Sequence, residues 1–297
     1  MSKWICSLDK THVFEIPTDD FYCPKCPPFE AILIESDDGG NGDQEKEVGL
    51  SVILMDASMS MTEPPFKGSP LTRMRLVSDN AAAGIFDLQR MKDNPNAVVT
   101  AFRFDDRIEL MFTDSVGNLI AKYKDVKTFA NYIYSELFKM QQGTDINKAL
   151  QTAYNFISDF MNKRLKDFPI KNYTPLVQRI LTYNNNSVNI ANVRVLIYTD
   201  GMQFDANENR QLKPNPFRQN PLPGLSHDIV IGAFFGQAND EGCNELQTLL
   251  SPCPIHNRKQ FFLFDDPANI GTLKYLFRMA SGASGFCPTC LEYQLNR

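Results

Sequence analysis

Five oxygen-bearing side chains fall in three short segments. Asp56-Ala57-Ser58-Met59-Ser60 sets a carboxylate and two hydroxyls at alternate positions, Gly143-Thr144-Asp145 adds a third hydroxyl, and Asp200-Gly201 adds a second carboxylate. Hard oxygen donors with no sulfur or imidazole among them suit Mg²⁺ or Mn²⁺. Asp and Ser after a strand are also common turn and helix-capping residues, so the segments gain this meaning only if the fold brings them together. A second chemistry is written in sulfur. Cys23-Pro24-Lys25-Cys26 and Cys287-Pro288-Thr289-Cys290 each follow an aromatic residue, and Cys253-Pro254-Ile255-His256 repeats the spacing with an imidazole. Such knuckles hold Zn²⁺ through thiolates braced by the amides of a tight turn.

The elements that must position these groups are legible from residue 48 onward. Residues 49–55 form an apolar run of strand length, the pattern of a strand buried on both faces. Apolar residues at helical spacing follow over 71–91. Residues 97–104 and 107–112 read as a hairpin around the turn-forming pair Asp105-Asp106. Helices are expected over 126–140 and 145–165, and strands over 193–199, 228–235 and 260–264. The last two strands precede helical stretches near 240–250 and 267–280. Wholly apolar strands alternating with helices define a doubly wound, Rossmann-like α/β fold. Its mostly parallel six-stranded sheet carries one antiparallel edge strand. Asp56, Thr144 and Asp200 then meet at the C-terminal edge of that sheet, where such folds bind ligands. Two stretches read as irregular, 168–192 and the Pro- and Asn-rich 204–226. The second leaves the end of a strand and is expected beside the oxygen site. Asp145, just before a helix, is expected to be its N-cap. Glu63 and its loop are expected to shape access.

In this arrangement the sequence resembles a von Willebrand factor A (VWA) domain with an intact metal-ion-dependent adhesion site, over about residues 48–281. The family pattern is Asp-X-Ser-X-Ser after the first strand, a Thr in a Gly-Thr loop and an Asp in a Thr-Asp-Gly strand end. It falls here on Asp56, Ser58, Ser60, Thr144 and Asp200. The resemblance implies that Ser58 and Ser60 bind the cation directly, Thr144 directly or through water, and Asp56 and Asp200 largely through water. A divalent ion held mainly by neutral hydroxyls keeps charge to offer a partner's Asp or Glu carboxylate. The expected role is metal-dependent protein recognition or scaffolding. Intracellular relatives of this type work beside kinases, phosphatases or AAA+ ATPases, and the resemblance extends that expectation to the partner here.

The sulfur ligands allow several pairings. Cys6, His12, Cys23 and Cys26 would make an N-terminal ribbon- or rubredoxin-like site, and Cys253, His256, Cys287 and Cys290 a second site. An all-cysteine set of Cys23, Cys26, Cys287 and Cys290 is the alternative, so one or two zinc ions are expected. Cys253 and His256 also read as ordinary loop residues. A redox role is disfavoured because Pro27-Pro28 follows Cys26, where a thioredoxin-like pair would open a helix. Cys243 and His227 have no assigned partner. The expected organisation is an N-terminal zinc-binding element (1–35), an acidic Gly-rich linker (36–47), the VWA domain (48–281) and a zinc-knuckle tail (282–297).

Thirty Lys and Arg against 35 Asp and Glu leave a net charge of -5, which offers no general attraction to nucleic acid or anionic membrane. The longest apolar runs fall well short of the roughly 20 residues of a membrane span, and residues 1–20 lack a signal-peptide core. Seven cysteines, an odd number, suit metal-bound thiolates in a cytoplasmic protein better than a disulfide framework. No enzyme is expected. There is no Gly-X4-Gly-Lys-Ser/Thr loop, Ser58 stands where an aspartyl-phosphate enzyme carries a second acid, and the three His lie in no triad context. A zinc-bearing subunit of a transcription or repair assembly is the alternative reading, followed by a Mg²⁺-dependent hydrolase. Against direct nucleic-acid contact, Lys3, Lys10 and Lys25 are outnumbered by Asp9, Glu15, Asp19, Asp20 and Glu30.

Overall fold

The computed structural model describes residues 2–6, 13–16, 31–36, 45–90, 96–139, 143–183, 186–205, 207, 209–225, 229–273, 275–276 and 287–295. They divide into two compact units, one taking Met1–Gln44 with Ile180–Asn189, the other Glu45–Arg179 with Ile190–Arg297. In the first, β1 (Ser2–Cys6), β2 (Val13–Ile16) and β3 (Ala31–Ser36) form an antiparallel sheet in the order β2-β1-β3. Strands therefore stand in a segment whose sequence shows no clear periodicity.

The second unit opens with β4 (Lys46–Val48) and β5 (Leu50–Asp56), every residue of β5 being buried. Then come α1 (Arg73–Arg90), β6 (Val98–Phe104), β7 (Ile108–Ser115), α2 (Val116–Tyr123), α3 (Val126–Leu137) and α4 (Ile146–Met161). The short strand β8 (Tyr173–Pro175) follows, β9 (Gln178–Tyr183) and β10 (Asn186–Ala191) fall largely within Ile180–Asn189 of the first unit, and β11 (Val193–Thr199), buried throughout, belongs to the second. The chain ends through α5 (Pro216–Gln219), β12 (Val230–Phe234), α6 (Glu241–Leu249), β13 (Phe261–Leu263), α7 (Pro267–Ile270) and α8 (Pro288–Leu295).

The central sheet has the order β13-β12-β11-β5-β6-β7, parallel except for the β6–β7 edge pair. This is the doubly wound mixed α/β fold that the alternation of apolar strands and helices implies. Residues of β5 alternate between two cores, as the period of a strand requires. Ile53 and Met55 pack with Met74 and Ile85 of α1 and Phe129 and Ile133 of α3, while Val52 and Leu54 pack with Ile146 and Leu150 of α4 and Leu246 of α6. The stretch 168–192 is more regular than its sequence suggests: β8 pairs with β4 in parallel, and β9 pairs with β10. The chain order reverses between β5 and β11, so the two strands that end in Asp56 and Thr199-Asp200 flank the topological switch point. No described helix is long and apolar enough to cross a membrane.

Candidate metal centres

At the switch point the two buried strands deliver carboxylates into a space with little water. Asp56 is fully buried and accepts from the Ser58 amide at 2.8 Å and from the Thr199 hydroxyl at 2.6 Å. Thr199 Oγ1 in turn accepts from the Gly201 amide at 3.1 Å, tying the end of β5 to the turn after β11. Ser58 and Ser60 lie at the start of a short 3-10 turn, Met59–Thr62. Their hydroxyls are 3.1 Å apart, and Ser60 Oγ donates to Asp200 Oδ1 at 2.8 Å.

Thr144 reaches the same place from another direction. Its backbone makes a two-bond antiparallel bridge with Phe204, at 2.8 and 2.9 Å, and the next amide, of Asp145, donates to Asp105 O at 2.7 Å. Gly143 takes φ +60° here, a conformation glycine adopts without a Cβ penalty. A Cβ on Gly201 would lie 3.0 Å from Thr144 Oγ1, so the bare glycine beside Asp200 is what admits that hydroxyl. Asp145 caps α4, accepting from the Lys148 amide at 3.0 Å, as its position before the helix implies. The expected neighbour, the stretch after β11, is also in place. Phe204 is bonded to Thr144, and fully buried Gln203 donates to Asp145 Oδ1 at 3.2 Å and accepts from the Asn147 amide at 3.0 Å. Beyond it a cleft of about 370 Å³ is lined by Asn147, Lys148, Gln151, Asp205 and Lys213.

All five oxygen-bearing residues thus lie around one switch point. Octahedral Mg²⁺ with oxygens at 2.0–2.1 Å has neighbouring ligands about 2.9 Å apart, and the Ser58–Ser60–Asp200 chain of oxygens, at 3.1 and 2.8 Å, has that spacing. The electrostatics agree with the spacing. Burial, reinforced by the facing Asp200 carboxylate, pushes Asp56 up to about 7. Burial also raises Asp200, against the pull of the Arg73 guanidinium. Two carboxylates this deep call for positive charge, so the donor set fits a hard divalent ion. Sequence reasoning missed Arg73, the first residue of α1, which donates from Nη1 to Asp200 Oδ2 and to Ser60 O, the latter at 3.1 Å. One arginine at a helix start carries no signal of that contact. Thr199 stands in the Thr-Asp-Gly strand end, but its own bond to Asp56 carries no sequence signal.

A second cluster joins Cys253, His256, Cys287 and Cys290, all of whose ligand atoms lie within 4.8 Å of one another. Cys290 Sγ is 3.7 Å from Cys253 Sγ and 3.8 Å from Cys287 Sγ. His256 Nδ1 is 3.9, 3.5 and 3.3 Å from the sulfurs of Cys253, Cys287 and Cys290. A tetrahedron built on Zn–S of 2.3 Å and Zn–N of 2.0–2.1 Å has edges of about 3.8 Å between sulfurs and about 3.6 Å from sulfur to nitrogen. The four residues match it. The Ile255 amide donates to Cys253 Sγ at 3.4 Å, the bracing bond of a knuckle, and contacts from the Cys287 and Cys290 sulfurs pull the Cys253 thiol down to about 3. Cys253 and His256 are therefore more than ordinary loop residues. Cys287 and Cys290 sit with them; the alternative pairing with Cys23 and Cys26 falls outside the described residues. Cys287-Pro288-Thr289-Cys290 opens a helix, α8. A redox dithiol there would not need a third sulfur and an imidazole at tetrahedral distance. The loop 251–260 enters β13, so this cluster lies at the pole where the strands begin, opposite the oxygen site. Of the N-terminal ligands, Cys6 ends β1, and His12, Cys23 and Cys26 lie outside the described residues, as does His227. Cys243, on α6, is buried in the core that also holds the apolar residues of α4, and burial raises its thiol.

No family model and no curated protein matches the chain. Solved structures similar in fold include a von Willebrand factor type A protein from Catenulispora acidiphila, at 14% identity and a TM-score of 0.43, covering 80% of this chain and 43% of that one. Proximal thread matrix protein 1 from the mussel byssus, with a zinc-occupied MIDAS motif, matches at 12% identity and 0.43, covering 81% and 49%. A D319A mutant of the PilB minor pilin from Streptococcus sanguinis matches at 11% and 0.43, covering 82% and 62%. The chain spans about half the length of these proteins. The fold described here rests on the strand order itself.

Proposed function

We propose that the chain is a metal-dependent protein-recognition module. Asp56, Ser58, Ser60, Thr144 and Asp200 hold Mg²⁺ or Mn²⁺, and Cys253, His256, Cys287 and Cys290 hold a structural Zn²⁺. When bound, the divalent ion supplies an open coordination position for an acidic side chain of a protein partner. The residues of the chain do the rest. Ser58 and Ser60 present neutral hydroxyls that leave the positive charge largely unspent. Asp56, fixed by Thr199 and the Ser58 amide, orients the serine turn, and Thr144 closes the third side from its bridge with Phe204. The observation that carries the reading is the chain of serine and aspartate oxygens at cation-ligand spacing, set on two buried carboxylates where the sheet reverses. The partner class suggested by the family resemblance is a kinase, phosphatase or AAA+ ATPase.

Isothermal calorimetry with MgCl₂ tests the reading. Ser58→Ala and Asp56→Ala are expected to weaken Mg²⁺ binding by about tenfold or more while the circular dichroism spectrum is retained. Unchanged affinity in both variants would sink it.

A further inference from the structure

The oxygen site already contains a cation that belongs to the chain. Arg73 reaches from the first residue of α1 to donate to Asp200 Oδ2 and to the Ser60 carbonyl, with its side chain 16% exposed and that of Asp200 1% exposed. Asp200 Oδ1 is meanwhile taken by the Ser60 hydroxyl at 2.8 Å, so both oxygens of this carboxylate are engaged from within. The guanidinium is poorly served in return. Its Nε is buried with no hydrogen-bond partner among the described residues, an arrangement that costs free energy wherever a donor is removed from water. One positive charge also sits among two buried carboxylates, and Asp56 receives no ion pair from it. Arg73 is thus a partial and imperfect counter-ion at a site whose charge and geometry suit a divalent one.

We infer that Arg73 is a resident competitor for the cation: it pairs with Asp200 when the site is metal-free and must yield Asp200 Oδ2 when Mg²⁺ binds. The inference rests on the cation reading of the site and adds a device that sets its affinity. Two consequences follow from electrostatics alone. A fixed positive charge beside a Mg²⁺ site repels the incoming ion, and breaking a buried carboxylate–guanidinium pair subtracts from the binding free energy.

The test compares the full-length chain with Arg73→Met, which keeps the aliphatic stem and removes the charge, and Arg73→Lys, which keeps the charge. Calorimetric titration with MgCl₂ is expected to show binding about tenfold or more tighter in Arg73→Met and within about threefold of the parent in Arg73→Lys. In the parent, the NMR signal of the Arg73 Nε–H is expected to shift and to exchange faster with water on adding MgCl₂. Equal or weaker binding in Arg73→Met, with the parent binding normally, would overturn the competitor role and leave the cation site standing. Absence of Mg²⁺ binding in both proteins would overturn the cation reading and this inference with it. Should Arg73→Met fail to fold, an Arg73 signal in the parent that ignores MgCl₂ overturns the inference by itself.

Discussion

Asp56 shows how a single residue can be both silent and decisive. Its type and its place after an apolar strand were visible in the sequence, but its bond to Thr199, 143 residues away, was not, because long-range pairs leave no trace in local spacing. Burial and the Asp200 carboxylate push Asp56 up to about 7, so near neutrality a proton and a metal ion compete for the same group. The sign follows directly. Above about pH 7 the carboxylate is free to support a cation, and below it each ion must first displace a proton, so Mg²⁺ affinity is expected to fall steadily from about pH 8 to about pH 6. In chelator the linkage runs the other way for stability. The raised carboxyl favours the fold below its ordinary value of 3.8, and that contribution fades as pH rises through about 7. Calorimetric Mg²⁺ titrations across this range check the first statement, and an affinity flat with pH would contradict it.

Among the elements, α8 is the one that carries ligand atoms of the cysteine and histidine cluster. It is eight residues long and joins the rest through Cys287 and Cys290, whose sulfurs meet Cys253 and His256. Isolated helices of that length are marginal in water, so zinc bound at the cluster is expected to stabilise it. Cys290→Ser is expected to lose one equivalent of zinc per chain by atomic absorption, and amide exchange in 288–295 is expected to rise to solvent-like rates while β5 and β11 stay protected. Zinc content equal to that of the parent would refute the assignment. The elements that sequence reasoning missed share a cause. Helix α2 follows β7 with no intervening loop, its N-cap Ser115 being also the last strand residue, so no punctuation separates the two. The strands within 168–192 are short and interrupted by Asn, Pro and Gln, and their order comes from pairing: β8 is parallel to β4, whose own sequence sits in a charged stretch. By contrast, β5 and β11 are legible because full burial on both faces demands unbroken apolar runs.

For the whole molecule, the strand order turns two sequence motifs into one site. Nothing in Asp56-Ala57-Ser58 or Thr199-Asp200-Gly201 alone says that they are neighbours, yet any doubly wound sheet with β5 beside β11 places both at its reversal. An ion bound there ties together three distant parts of the chain and stabilises the folded state by mass action. With Mg²⁺ at a hundred times its dissociation constant, the gain is about 2.7 kcal/mol. Urea unfolding at constant ionic strength is expected to show that gain in the parent and its loss in Asp56→Ala. An equal response in both would place the ion elsewhere.

The bridge between Thr144 and Phe204 reaches further than the site itself. Phe204 begins the long excursion that runs to the threshold of β12, and its two main-chain bonds are the stitches that keep the threonine hydroxyl pressed toward Gly201. Further along, the excursion is pinned to α4 and α6: Asn147 accepts from the Lys213 amide at 2.7 Å, and Asn215 donates to Leu249 O at 2.8 Å. Through the Phe204 bonds the start of the excursion helps to set the position of Thr144 beside Gly201.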